Sequence, residues 1–282
     1  MKGRLFVVAT PLGNPMDLSP RARSILESAD YVIAEDTRRA LRLYREAAIP
    51  LRSFVSFFEH NEEERVTQVL GWLKEGKDVA LISDAGTPLI ADPGFRLVKA
   101  CHTLGISVSP IPGPSAPMAA LSVAGIAPLP FTFLGFLPRD ALARRTLFAR
   151  YAEIPGSLVF FERGDRLAES IRIAYEVLGE RDLAICRELT KTHEEILRLS
   201  LSAPIPVFLG EITVVVGQAE NVVKTPEEEI VALLSAEDAN RPLRECVKKL
   251  KGLVQGWSGK DLYRLCAERR KGGLYGKENK EF

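Results

Sequence analysis

Short apolar runs alternate with longer segments of helical periodicity through the first half of the chain. Residues 4–9, Tyr31-Val32-Ile33-Ala34 and Val79-Ala80-Leu81-Ile82 are four to six residues long, too short for helices and apolar enough for buried strands, and residues 53–57 and 106–110 are two further short strands. Helical spacing fills the gaps over 20–28, from Arg38 to about Ala47, after Asn61, and over 94–103. Strands that alternate with helices in this way predict βαβ units and a parallel sheet. The second half begins the same way, with a strand at Phe131–Leu137, a helix over 139–152, a strand at Ser157–Phe161, a helix over 165–178 and a strand over 183–188. Ile196–Leu201 and Ile212–Val216 then come with no crossover helix between them. Parallel neighbours need such a crossover, so the second sheet is expected to be mixed. The fold class is therefore α/β, a parallel-sheet domain (1–115) followed by a mixed-sheet domain (116–222), with the linker-like Ala127-Pro128-Leu129-Pro130 just past the boundary. A small helical extension (223–282) completes the chain. There Leu243, Val247, Leu250 and Val254 mark one amphipathic helix, and Ser258-Gly259-Lys260-Asp261 resembles a capping box opening another.

Three of the strands run into unusual loops. After 79–82 comes Ser83-Asp84-Ala85-Gly86-Thr87-Pro88-Leu89-Ile90-Ala91-Asp92-Pro93-Gly94, with two glycines and two prolines in twelve residues. Such a stretch fixes an irregular backbone whose NH and CO groups are available to a ligand, with Asp84 and Asp92 as acceptors. It lies at the carboxyl edge of a sheet, where open α/β folds bind ligands. After 106–110 comes Pro112-Gly113-Pro114-Ser115, a tight turn in which Ser115 is placed to cap a small-residue helix over 116–124. After the first strand Thr10-Pro11-Leu12-Gly13-Asn14-Pro15 breaks the chain without a GxGxxG, and no GxxxxGK[ST] occurs, so the common nucleotide-phosphate motifs are missing.

Composition changes this picture in two places. Four cysteines (Cys101, Cys186, Cys246, Cys266) are widely spread with no CxxC, which speaks for reduced buried thiols rather than zinc or disulfides. Net charge is +1, yet residues 241–282 carry twelve Lys/Arg against five Asp/Glu. That basic end suggests a contact surface for a polyanion, or simply a solvated tail. The first apolar run turns to Pro and Gly too soon for a signal peptide, and no apolar stretch approaches a membrane span. A cytoplasmic location is expected.

Candidate chemistry gathers at strand ends. Glu35-Asp36-Thr37-Arg38-Arg39 follows the second strand, and Arg38, Arg42 and Arg45 share one helix face. This is either a solvated face or a phosphate-contacting stripe beside two carboxylates, and Asp36 could equally be no more than a helix cap. Phe58-Glu59-His60 sits at a loop tip, and Glu188-Leu189-Thr190-Lys191 closes the strand over 183–188.

Taken in order, Val8-Ala9-Thr10-Pro11-Leu12-Gly13-Asn14, Ala34-Glu35-Asp36-Thr37-Arg38, Ser83–Gly94, Pro112-Gly113-Pro114-Ser115-Ala116, Gly135-Phe136-Leu137-Pro138 and Arg187-Glu188-Leu189-Thr190-Lys191 resemble the tetrapyrrole methylase superfamily and, within it, the rRNA small subunit methyltransferase I family. The match runs over roughly residues 4–217, and the basic end is similar to that family's C-terminal extension. The resemblance implies two α/β domains of the tetrapyrrole methylase type, S-adenosyl-L-methionine folded into the cleft between them, and a homodimer. It implies methylation of the 2′-hydroxyl of a decoding-centre cytidine in small-subunit (16S) rRNA, with the rRNA or the assembled small ribosomal subunit as partner. By motif position the cofactor would contact Pro11, Leu12, Asp84, Ala85, Gly86, Thr87, Ile90, Ser115, Ala116, Glu188, Leu189 and Thr190. One string departs from the family. Where it commonly has Phe-Tyr-Glu-Ser-Pro-His-Arg, this chain has Phe160-Phe161-Glu162-Arg163-Gly164-Asp165-Arg166, so no role of that His carries over.

A ribose hydroxyl is a poor nucleophile at neutral pH, so a base or acceptor is expected. Glu35, Asp36, Glu59, His60, Glu188 and Lys191 are the candidates at sheet edges. The assignment taken forward is Asp36 as acceptor, Arg38 on a neighbouring phosphate, and Lys191 as the third catalytic candidate. Two other classes stay open, a methylase of a small tetrapyrrole and an RNA-binding protein without catalysis.

Overall fold

The computed structural model describes residues 2–219, 225–234, 241–254 and 257–271, apart from the side chains of Glu59 and Lys271. They fall into two compact units, one ending at Gln218 and one beginning at Ala219. Both sheets belong to the first unit.

The first sheet is built from β1 (Arg4–Val8), β2 (Tyr31–Ala34), β3 (Phe54–Ser56), β4 (Val79–Ile82) and β5 (Ser107–Ile111), in the order β3-β2-β4-β1-β5. Every pairing is parallel. The crossovers are α1 (Pro20–Ser28), α2 (Thr37–Glu46), α3 (Glu62–Lys74) and α4 (Phe95–Thr103). Side chains alternate along each strand. Phe6, Val8, Val32, Ala34, Ala80 and Ile82 pack with α1 and α2, while Leu5, Ile33, Val79 and Leu81 pack with α3 and α4. The central strands β2 and β4 are covered on both faces and apolar throughout, which is why they stood out in the sequence. The edge strands β3 and β5 are only partly buried and carry Ser56, Ser107 and Ser109. The order has one decisive consequence. β1 lies between β4 and β5, so the loops that leave the carboxyl ends of these three strands are neighbours.

From the third of those loops α5 (Ala116–Val123) leads into a second sheet of β6 (Phe131–Phe136), β7 (Ser157–Arg163), β8 (Asp182–Arg187), β9 (Glu195–Ser200) and β10 (Glu211–Val216). Its order is β6-β7-β10-β8-β9. Only β6 and β7 run parallel, and the other neighbours are antiparallel. The mixed sheet expected from the missing crossover is thus present. Helices α6 (Ala141–Tyr151) and α7 (Gly164–Leu178) cover one face, over Leu158, Phe160, Leu183, Ile185 and Val214. α5 covers the other, over Val159, Ala184, Cys186 and Val215.

Glu162 and Arg166, the residues that survive in the divergent string, belong to a buried hydrogen-bonded group. Glu162 is 3% exposed and accepts from the Ser170 hydroxyl at 2.6 Å and the Arg163 N–H at 2.9 Å, with Arg166 at 3.4 Å. Arg144, 1% exposed, donates to the same Ser170 hydroxyl at 2.7 Å and to Glu169 at 2.5 Å. Arg166 donates to the Pro138 carbonyl at 2.6 Å. The group ties α6 and α7 to β7.

The second unit contains α8 (Glu227–Ala232), α9 (Leu243–Lys251) and α10 (Gly259–Lys271) around Ile230, Cys246, Leu250, Leu262 and Cys266. Ser258 caps α10 by accepting from the Asp261 N–H at 3.1 Å. Its own hydroxyl donates to the Asp261 carboxylate at 2.6 Å, so Asp261 reaches the Ser258 side chain rather than its amide. The helix expected over 225–239 is seen as α8; residues 235–240, and the basic residues beyond Lys271, lie outside the described residues. Among the described residues no helix is long and apolar enough to cross a membrane.

Removing a buried, multiply bonded cation costs about 3 kcal/mol or more. Arg144→Ala should therefore lower the unfolding free energy by that order in urea titrations, whereas Leu142→Ala, at a position 70% exposed on the same helix, should stay within about 0.5 kcal/mol of the parent.

Candidate active site

Two backbone hydrogen bonds join the first loop to the second. The Thr10 N–H donates to the Gly86 carbonyl at 2.9 Å and the Gly86 N–H to the Thr10 carbonyl at 3.0 Å. Gly86 makes this possible at φ +81°, a left-handed conformation that L side chains resist. The third loop joins through Thr87, whose hydroxyl donates to the Pro114 carbonyl at 3.0 Å. The turn after β8 closes on the first loop, since the Asn14 N–H donates to the Thr190 hydroxyl at 3.2 Å. The Lys191 stem packs so closely on Gly13 that a β-carbon there would collide with it. Leu89, Ala91, Glu188 and Thr190 hold φ between +49° and +74°. Left-handed non-glycine residues cluster where surrounding contacts over-determine the backbone, and functional sites are such places.

Two adjoining cavities open between these loops. The smaller, of about 420 Å³, lies within the range of small-ligand sites. Of the residues expected at a cofactor, Leu12, Asp84, Ala85, Gly86, Thr87, Ile90, Ser115, Ala116 and Leu189 line it. Ser115 is the first residue of the α5 cap but makes no side-chain capping bond, contrary to the capping role expected of it. Pro11, Glu188 and Thr190 instead line the larger cavity of about 960 Å³. Lys191 lines both, as do Leu12, Arg39, Asp84, Ala85 and Glu211, so these residues form a common wall.

Asp36 and Arg38 line neither cavity. The Asp36 carboxylate caps α2 by accepting from the Arg38 N–H at 2.8 Å, and it grips the Arg38 guanidinium at 2.6 Å. The Arg38 guanidinium hydrogen bond, then its amide, hold the Asp36 carboxyl well below the usual range. Arg42 pairs with Glu46 at 2.7 Å but also lines the larger cavity. His60 is exposed, lies edge-on to Phe58 and lines neither cavity; the Glu59 side chain lies outside the described residues.

The neighbours of the expected pair stand in their place. Glu35 and Arg39 line the smaller cavity together with Asp92, Phe136 and Phe161. Arg39 meets Asp84 at 3.3 Å, and the Asp36 N–H donates to the other Asp84 oxygen at 3.1 Å. Burial raises the Glu35 carboxyl to about 7, with further contributions from Asp92 and Asp84. Burial likewise raises Asp92 to about 6, against a hydrogen bond from Ser83. Asp84 is raised by burial, opposed first by Arg39. For Lys191 burial acts downward, but hydrogen bonds to Glu211 at 2.9 Å and Glu188 at 3.1 Å outweigh it, so the ammonium stays protonated. The site thus sets the acidic lining of the smaller cavity beside a common wall of ion pairs, Arg39 with Asp84 and Lys191 with Glu211.

Comparison with known proteins gives this arrangement a class. The profile described as Tetrapyrrole (Corrin/Porphyrin) Methylases matches residues 4–204, and the chain belongs to that family. A solved structure described as uroporphyrin-III C-methyl transferase from Thermus thermophilus complexed with S-adenyl homocysteine is similar in fold, with a TM-score of 0.54 at 18% identity over 76% of this chain and 97% of that one. Nearer relatives narrow the group. A protein of Mycobacterium tuberculosis (strain CDC 1551 / Oshkosh) named Ribosomal RNA small subunit methyltransferase I is 45% identical over 250 residues, covering 84% of this chain and 87% of that one. A Pseudomonas aeruginosa protein of the same name is 48% identical over 201 residues, 71% of each chain.

Two outcomes test the site as described. A folded-state carboxyl raised to about 7 from 4.5 stabilises the fold fully below the lower value and loses that contribution as pH rises through the upper one. Glu35→Gln should therefore gain stability relative to the parent between pH 4.5 and 8 in urea titrations, and a constant difference across that window contradicts the burial argument. Asp36→Asn keeps the cap, because Asn caps about as well as Asp, and loses only an exposed ion pair. Its stability should change by less than about 1 kcal/mol and its turnover should stay near the parent's.

Proposed function

We propose that the protein transfers the methyl group of S-adenosyl-L-methionine to the 2′-hydroxyl of a cytidine in small-subunit rRNA. The observation that carries this reading is the wall shared by the two cavities, with a smaller, acid-lined pocket on one side and a larger groove that carries Arg39, Arg42, Lys191 and His193 among its carboxylates on the other. S-Adenosylmethionine suits the smaller cavity. Leu12, Ala85, Ile90, Ala116 and Leu189 offer apolar surface to it, Gly86 leaves the backbone bare, and Glu35, Asp84 and Asp92 favour a ligand bearing sulfonium and ammonium charges. When bound it supplies a methyl group on a positively charged sulfur whose departure leaves a neutral thioether, so the protein's task is largely positioning.

The rest falls to this chain's own residues. Arg39, Arg42, Lys191 and His193 line the larger cavity, where they suit a phosphate backbone. In this reading the Asp84 carboxylate accepts the hydroxyl proton, which its position on the common wall and its raised basicity from burial support. Asp36 contributes through its backbone, since its amide fixes one Asp84 oxygen while its side chain and Arg38 hold the start of α2. The relatives at 45–48% identity carry an rRNA name, whereas the tetrapyrrole enzyme matches at 18%. That contrast favours RNA over a small tetrapyrrole.

Small subunits from cells lacking the protein, incubated with it and methyl-labelled S-adenosylmethionine, should yield label in 2′-O-methylcytidine after digestion to nucleosides. Label in a base, or none, overturns the reading. If the basic residues within 241–282 bind phosphates, RNA affinity of the full chain should fall steeply with salt. Deleting residues 219–282 should then reduce the slope by about one for each phosphate no longer bound, with cofactor affinity nearly unchanged. An unaltered slope assigns the second unit to packing.

A further inference from the structure

Phe136 stands in a place that regular strand geometry would deny it. β6 and β7 pair Phe131 with Ser157, Thr132 with Leu158 and Phe133 with Val159, but the next pair is Phe136 with Phe161. Three residues of β6 therefore span two of β7, and Gly135 takes the extra step at φ +68°. A β-carbon at Gly135 would meet nothing within 4 Å, so the glycine serves the backbone conformation rather than a close contact. A bulge of this kind shifts the residues after it to the opposite face of the sheet. Leu134 packs in the core beneath α6 and α7, and strict alternation would send Phe136 after it. Instead Leu137 joins that core, 4% exposed, and Phe136 turns to the face of Phe133 and Phe161. Its ring centroid lies 5.1 Å from that of Phe161, which in turn lies 5.0 Å edge-on from Phe133.

This face looks into the smaller cavity, which Phe136 and Phe161 both line. Phe136 remains 63% exposed, an apolar ring braced from one side and open on the other. Nucleobases stack on such rings, because every base has a π-face, and aromatic platforms of this sort recur where single-stranded nucleic acid is bound. We infer that the bulge at Gly135 exists to present Phe136 as a stacking platform for a heterocyclic base at the mouth of the cavity. The inference rests on the functional reading above and adds to it a specific subsite. Two sources could supply the base, the adenine of the methyl donor or the target nucleotide of the RNA.

Calorimetric titration separates them. Parent, Phe136→Ala, Phe136→Leu and Phe136→Trp proteins are titrated with S-adenosylhomocysteine and, separately, with a cytidine-containing single-stranded RNA oligonucleotide. The position is largely exposed, so the variants should melt with the parent. Ala and Leu should weaken one of the two ligands by roughly tenfold, Leu because it keeps apolar area without a flat ring, while Trp should bind as the parent does. Weakening confined to S-adenosylhomocysteine assigns the platform to adenine, and weakening confined to the oligonucleotide assigns it to the target base. If Ala binds both ligands within twofold of the parent, or Leu matches the parent where Ala does not, stacking on Phe136 is overturned. A parent protein that binds neither ligand overturns the functional reading, and this inference with it.

Discussion

The paired hydrogen bonds between Thr10 and Gly86 are the constraint on which the site depends. Strand order alone brings the ends of β4, β1 and β5 side by side, but it leaves their loops free to splay. The two bonds, at 2.9 and 3.0 Å, clamp the first loop to the second, and Thr87 on Pro114 secures the third. Once that frame is fixed, Gly13 is close enough for the Lys191 stem to lie across it, and Asn14 can reach Thr190. Both cavities, and the wall between them, arise from this set of interactions. A side chain at position 86 would have to occupy a left-handed conformation with its β-carbon 3.2 Å from Leu12, which is why the sequence bears glycine where the loops meet.

The electrostatics at and around the site divide by burial rather than by residue type. The Arg38 guanidinium holds the Asp36 carboxyl well below the usual range, while Glu35 next to it is half-buried among other carboxylates and holds its proton to about 7. Lys191 is the converse, a partly buried ammonium kept charged by two carboxylates. A ligand that brings positive charge to Glu35, Asp84 and Asp92 relieves their mutual repulsion, so the acidic lining is itself a reason for a cationic ligand to bind.

Much of this was legible in the sequence, and the parts that were not have identifiable causes. The central strands of the first sheet stood out because they are buried on both faces, and the loop strings after residues 9, 82 and 111 pointed to one sheet edge. Asp36 and Arg38 were the residues expected at the site, and it is Glu35 and Arg39, one position away at a strand end and a helix start, that line the cavities. Side-chain direction changes by half a turn per residue in a strand and by about 100° in a helix, and the composition of Glu35-Asp36-Thr37-Arg38-Arg39 does not state the phase. Phe136 was hidden for a related reason. Counted from Phe131 by alternation it belongs to the core under α6 and α7, and only the extra residue at Gly135 sends it to the cleft. The string Gly135-Phe136-Leu137-Pro138 contained the signal, a glycine inside a strand pattern.

The central claim is that the clamped loops and the turn after β8 form one methyl-donor site. Amide hydrogen exchange with and without S-adenosylhomocysteine tests it directly. The account predicts slowed exchange at Ala85–Thr87, Ala116 and Leu189–Lys191 together, on addition of the ligand, with the second unit unchanged. Protection confined to one of these segments, or found only outside them, would contradict it.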